Sequence, residues 1–193
     1  MSLDNASVLV VDDEAAIREM YADMLERFVG RVETAADGET GLSLLDETVD
    51  VVLLDRRMPG QSGDEVLETI RERGHDCRVA MLTAVEPDED IAQMPFDTYL
   101  TKPVTVSKLR DTIDRLLALE DYEDALEERF RVAQKLGALE AAKTDAELAD
   151  SAAYADLKSR YRALTDEMEA AGDRVDTDLV RGVIEPKATP VKR

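Results

Sequence analysis

The chain has 193 residues, with 24 Lys and Arg against 44 Asp and Glu, for a formal net charge of −20. That length holds one good core plus an appendage or two small domains, and acidity spread along the whole chain excludes unselective attraction to nucleic acid or anionic lipid through global charge. One cysteine, Cys77, and one histidine, His75, exclude an intramolecular disulfide and a structural zinc site.

The first half alternates two patterns. Ser7 to Asp13 (SVLVVDD) reads as a strand, and Ile17, Met20, Tyr21, Met24, Leu25 and Phe28 form the apolar face of a helix after it. Arg31 to Ala35 is the next strand, followed by a helix carrying Leu42, Leu44 and Leu45. Asp50 to Asp55 (DVVLLD) is almost wholly apolar before its acid, as a strand covered on both faces is. Val66, Leu67 and Ile70 mark the third helix and Arg78 to Ala84 the fourth strand. Pro87 and Pro95 then restrict any helix in EPDEDIAQMPFD to a short one. Thr98 to Pro103 is the fifth strand, and Leu109, Ile113, Leu116 and Leu117 the last amphipathic stretch. Strand and helix alternating in this way predict an α/β fold, a doubly wound five-stranded parallel sheet.

Beyond Leu119 the strand signal stops. Glu120 to Ala142 and Asp145 to Ala171 are rich in helix formers, with Gly137 the single interior glycine. Thr144 three residues before Glu147 is a capping-box spacing that starts the second helix. Its apolar positions Tyr154, Leu157, Tyr161, Leu164, Met168 and Ala171 recur three and four apart, while the first helix offers Tyr122, Leu126, Phe130, Ala133 and Leu136. The reading is an α-helical hairpin, with Gly172 as its C-terminal cap. Three parts are expected: residues 5–119, the hairpin at 120–172 and a flexible tail at 173–193.

In an open parallel sheet, ligands bind beyond the carboxyl ends of the strands where strand order reverses. The residues at those ends are Asp12 and Asp13, Asp55, Thr83 and Lys102. Taken singly, an Asp pair is a helix cap, Thr83 a strand-end residue and Lys102 a solvated cation. Together at one edge they form a constellation. Crowded carboxylates need a cation, and a modest set of oxygen ligands suits Mg²⁺. One carboxylate can then attack a phosphoryl group while the metal and Lys102 neutralise the developing charge, and Asp55 on the central strand is the candidate nucleophile.

VLVVDDE, VVLLDRRMPGQSGDE, MLTA and YLTKPV stand in this order over residues 5 to about 119, which resembles the receiver domain of two-component response regulators. The resemblance implies that Asp12, Asp13, Asp55 and the backbone carbonyl of Arg57 hold Mg²⁺, and that Asp55 accepts a phosphoryl group from a sensor histidine kinase. It further implies that Thr83 and Lys102 meet that group, that Tyr99 is a rotamer switch and that Pro103 follows a cis bond. Such a protein catalyses only its own phosphoryl transfer and dephosphorylation. The connection from Thr83 to Tyr99 departs from the pattern by its brevity, and Arg56 and Arg57 stand where apolar or small polar residues are common.

DRRMPG, MPFDTYLTKPV and the two-helix tail together resemble haloarchaeal receiver proteins with a HalX domain, a group tied to transcriptional regulation. The composition agrees: few aromatics, much Ala, Asp, Glu, Thr and Val, and more Arg than Lys match salt-in halophilic archaea. In molar salt the Debye length is roughly 3 Å, so self-repulsion is screened and stability is expected to rise with salt. MSLDNASVLVVDD has no basic n-region, and no stretch approaches the roughly 18 apolar residues of a membrane span, so the expected location is cytoplasmic.

For the hairpin three roles are open: a phosphorylation-controlled module for homodimers or another protein, a DNA-binding element, or an inert part of a phosphate sink. DNA contact would use Arg129, Arg131 and Lys135 with Lys158, Arg160 and Arg162, in which 131/135 and 158/162 are one turn apart. Pairing with neighbouring acids is the plainer reading of the same residues.

Overall fold

The computed structural model describes residues 2–85, 87 and 89–175. In chain order its elements are a 3-10 turn (Leu3–Asn5), β1 (Ser7–Val11), α1 (Ala15–Leu25), β2 (Arg31–Ala35), α2 (Gly38–Leu44), β3 (Val51–Leu54), α3 (Gly63–Glu72), β4 (Arg78–Thr83), a second 3-10 turn (Glu89–Gln93), β5 (Thr98–Thr101), α4 (Val106–Ala142), α5 (Asp145–Ala149) and α6 (Ala152–Val175). The chain divides into two compact units, residues 1–117 and 118–193.

In the first unit all five strands are parallel, in the order β2-β1-β3-β4-β5. Side chains alternate across the sheet. Val8, Val10, Val51, Leu53, Ala80 and Leu82 face a core with Tyr21 and Leu25 of α1 and Leu109, Ile113 and Leu117 of α4. Leu9, Val11, Val52, Leu54, Val79 and Met81 face the other core, with Leu42 of α2 and Val66, Leu67 and Ile70 of α3. Both faces are therefore covered, which is why β3 is wholly apolar and β1 is apolar from Val8 to Val11, up to the acids at their carboxyl ends. The phenol of Tyr21 stays satisfied inside, accepting a hydrogen bond of 3.2 Å from the Val104 N–H.

The starts of α2 and α3 are set by side chains. Asp37 accepts from the Thr40 N–H at 2.8 Å to open α2, and Ser62 with Glu65 forms a reciprocal capping box at α3. Among its described residues the short connection between β4 and β5 holds one 3-10 turn, in keeping with the two prolines. It is anchored at its far end by Asp97, which accepts from the Arg71 guanidinium at 2.7 Å, the Arg78 guanidinium at 3.2 Å and the Val79 N–H at 2.7 Å.

The second unit differs from expectation in four respects. The helix expected from Glu120 begins at Val106, because nothing between Leu117 and Glu120 breaks it. The Thr144/Glu147 capping box forms, but its helix ends at Ala149 and a new one begins at Ala152, with the Ser151 hydroxyl accepting from the Tyr154 N–H at 3.3 Å. Gly172 lies inside α6 and caps nothing; of the expected tail, residues 173–175 are helical and 176–193 lie outside the described residues. The stripe on α6 packs as read, with Leu164, Met168 and Ala171 buried. On α4, however, the seam against it is Tyr122, Ala125, Val132 and Leu136. Leu126 and Phe130 are 41% and 64% exposed.

Candidate functional site

Strand order reverses between β1 and β3, since β2 lies outside one and β4 outside the other. The two strands carry their acids to that point. Asp12 leaves β1 with its N–H donating to Ala35 O at 3.1 Å, and Asp55 leaves β3 with its N–H donating to Val11 O at 2.9 Å. Asp12 and Asp55 are buried and Asp13 is more open; one carboxylate oxygen from each lies within 4.8 Å of the other two.

Lys102, one residue past β5, reaches across to them. Its Nζ is 2.6 Å from Asp12 Oδ2 and 3.2 Å from Asp55 Oδ2. Burial alone would lower the ammonium's pKa, but hydrogen bonding to Asp12 and the charges of Asp55 and Asp12 outweigh it, and the net shift is upward. The other oxygen of Asp55, Oδ1, is buried with no hydrogen-bond partner. A buried carboxylate oxygen left bare costs free energy comparable to a lost charged hydrogen bond, so the site is built for an additional electrophile or cation. Three hard oxygen donors open to one side suit Mg²⁺, which keeps several of its waters.

Thr83 is buried at the end of β4, and its hydroxyl accepts from the Val85 N–H at 3.3 Å. Tyr99 in β5 donates its phenol proton to Val85 O at 2.8 Å, and its ring lies 5.6 Å from that of Phe96. Thr83 and Tyr99 thus hold the two sides of one residue. The step from Lys102 to Pro103 is cis.

The loop after Asp55 is shaped by glycine. Gly60 adopts φ +80°. Gly63 packs so tightly that a Cβ would collide with the Asp55 carbonyl and stand 2.8 Å from Arg56 Cα, while its N–H donates to Arg56 O at 2.9 Å. Arg56 is turned away from the acids, with its Nε 3.0 Å from Asp64 Oδ1. Arg57 is exposed.

Reasoning from sequence missed one neighbour of the acids. Arg18, in α1, donates from a guanidinium nitrogen to the Asp12 carbonyl oxygen at 2.6 Å. Its spacing of six from Asp12, about one turn into the following helix, was the available signal.

The hairpin cations are largely engaged with their own unit. Arg129 lies over the Tyr161 ring at 5.6 Å and Lys158 over Tyr154 at 5.4 Å. Arg160 is held by Glu128 at 2.6 Å and Glu167 at 3.0 Å. Arg131, Lys135 and Arg162 are exposed.

An open, all-parallel sheet with an acid triad and a lysine at its switch point places this unit among the doubly wound α/β domains. Residues 8–114 match the response regulator receiver domain family, and the chain belongs to that family. Residues 118–183 match the HalX domain. A Haloferax volcanii protein named "Putative transcriptional regulator" is 51% identical over 166 residues, 85% of this chain and 28% of its own length, so the chain spans under a third of that relative. Among solved structures, the chemotaxis protein CheY4 of Vibrio cholerae matches at TM-score 0.55 and 30% identity, over 58% of this chain and 98% of its own. The response regulator TrrA of Thermotoga maritima, in complex with Mg²⁺-BeF, matches at TM-score 0.50 and 32% identity, over 57% and 98%. Among the described residues no helix is long and apolar enough to cross a membrane.

Proposed function

We propose that this chain is a two-component response regulator that takes a phosphoryl group on Asp55 and acts in transcriptional control through its helical unit. The observation carrying this reading is Asp55 itself: a buried carboxylate with one oxygen unpartnered and the other 3.2 Å from the Lys102 ammonium, beside Asp12 and Asp13. In the reaction one Asp55 oxygen forms a bond to phosphorus, and the bond from phosphorus to the donor breaks. The electron pair of that bond leaves with the donor: on acetate, which departs as the anion, or on the imidazole nitrogen of a sensor kinase's phosphohistidine, which takes up a proton from solvent. Mg²⁺, held by Asp12, Asp13, Asp55 and the Arg57 carbonyl, would supply charge neutralisation at the phosphoryl oxygens.

Lys102 pairs with the new anion. The Thr83 hydroxyl turns towards it and releases the Val85 N–H, and the loss is felt by Tyr99 because its phenol is bonded to the same residue. The residues at 5–119 are the phosphoacceptor part and 120–172 the output part. For that output, protein contact is favoured over DNA contact, since Arg129, Lys158 and Arg160 are occupied by rings and acids of the hairpin. The protein partner is a second copy or a component of the transcription apparatus.

The test is intact mass after incubation with Mg²⁺ and acetyl phosphate in molar KCl. One added phosphoryl group on the wild type and none on Asp55→Asn is the expected result. An adduct of equal yield on Asp55→Asn would rule out Asp55 as the acceptor, and no adduct from acetyl phosphate or from a purified kinase would rule out the phospho-switch.

A further inference from the structure

Every polar atom of Asp12 has a partner. Its N–H donates to Ala35 O at 3.1 Å, its Oδ1 accepts from the Glu14 N–H at 2.9 Å, its Oδ2 from Lys102 at 2.6 Å, and its carbonyl oxygen from Arg18 at 2.6 Å. The last of these differs in kind. The Asp12 carbonyl belongs to the peptide that joins Asp12 to Asp13, and a carbonyl at a strand end just before a helix has no place in either ladder. The Asp13 carboxylate is the more open of the two. Where it points is set by the peptide plane that precedes it, and Arg18 is what holds that plane from the helix side.

We infer that Arg18 is a positioning residue for the metal site: its guanidinium fixes the Asp12–Asp13 peptide and thereby the aim of Asp13. The inference rests on the reading of Asp12 and Asp13 as Mg²⁺ ligands. Two effects of Arg18 oppose each other. As a cation near three carboxylates it repels a divalent ion, and its removal on that ground alone would tighten binding. As a charge-assisted donor to the carbonyl it pre-organises a ligand, and its removal would weaken binding. In molar salt the repulsion is screened within a few ångströms, roughly 3 Å at 1 M, whereas a direct hydrogen bond at 2.6 Å is not. Pre-organisation wins.

The experiment is calorimetric titration of Mg²⁺ into the full chain in 2 M KCl, for wild type, Arg18→Met and Arg18→Lys, with the Mg²⁺ dependence of phosphorylation by acetyl phosphate as the second readout. For Arg18→Met, Mg²⁺ affinity should fall about tenfold, as it does when an outer-sphere hydrogen bond to a ligand group is removed. Arg18→Lys should recover part of that loss, and the phosphorylation rate at saturating Mg²⁺ should match wild type. A loosened fold would lower the saturating rate as well and leave half-saturation unmoved. Equal or tighter Mg²⁺ binding by Arg18→Met, or a fallen saturating rate with unchanged half-saturation, overturns the inference. Absence of Mg²⁺ binding by the wild type overturns the ligand reading beneath it instead. Should Arg18→Met not fold, the decision falls to Arg18→Gln, which is neutral and too short to reach the carbonyl, against the same outcomes.

Discussion

Asp55 and Cys77 are both buried, and burial does opposite things for them. Asp55 is kept useful because Lys102 stands 3.2 Å from one oxygen while the other is left bare. For Cys77 burial dominates and pushes its thiol up from the ordinary 9.0 to about 11, against a smaller lowering by the charge of Arg71. The thiolate is the nucleophile, so a buried thiol that ionises near 11 is inert at neutral pH. The expected outcome is that a maleimide at pH 8 leaves the folded protein unlabelled over a period that labels the urea-unfolded chain fully; equal rates would show that Cys77 is accessible in the native state. The sign of the pH effect follows. A folded pKa above the unfolded one contributes stability that is complete below 9.0 and lost as pH climbs through the folded value near 11.

At the scale of elements, what could be read from the sequence was what depends on local chemistry. The strand ends were legible because the apolar runs Val8–Val11 and Val51–Leu54 stop at acids, and that fixes which residues reach the switch point. The Thr144/Glu147 capping box was legible for the same reason, being a contact between residues three apart. Arg18 on the Asp12 carbonyl and Arg56 on Asp64 were not, because each joins a side chain to a group chosen by the turn between them. On α4 the apolar residues fall into two overlapping stripes, and propensity cannot say which one meets α6. The cluster that forms joins Leu164 and Met168 of α6 with Ala125 and Val132 of α4. Gly137 illustrates the other side of this. It lies in the interior of a 37-residue helix, and a Cβ built on it would meet nothing within 4 Å. Gly137→Ala therefore adds helix propensity without a clash, and should stabilise the protein by about 1 kcal/mol in denaturant titration. A loss of stability would mean that a close contact at this position exists in solution.

For the molecule as a whole, charge decides what the helical unit can touch. At a net charge of −20, the protein approaches DNA only through local cations. Of the candidates in the hairpin, Arg131, Lys135 and Arg162 remain exposed after Arg129, Lys158 and Arg160 have been taken up by rings and acids. Three phosphate contacts give an affinity that falls with a log–log salt slope of about −3, so binding weakens about a thousandfold between 0.2 and 2 M KCl. In the salt that an acidic surface of this kind suits, three contacts are too few to hold a duplex, whereas an apolar protein contact gains from the same salt. The expected outcome is no change in the anisotropy of a fluorescent 30-base-pair duplex at 2 M KCl, before or after phosphorylation of Asp55. A phosphorylation-dependent change at 2 M KCl that disappears in Arg131→Ala/Lys135→Ala would make the hairpin a DNA-binding element and overturn the preference for protein contact. A phosphorylation-dependent rise in molar mass without DNA, in light scattering at the same salt, would identify the partner as a second copy of the chain.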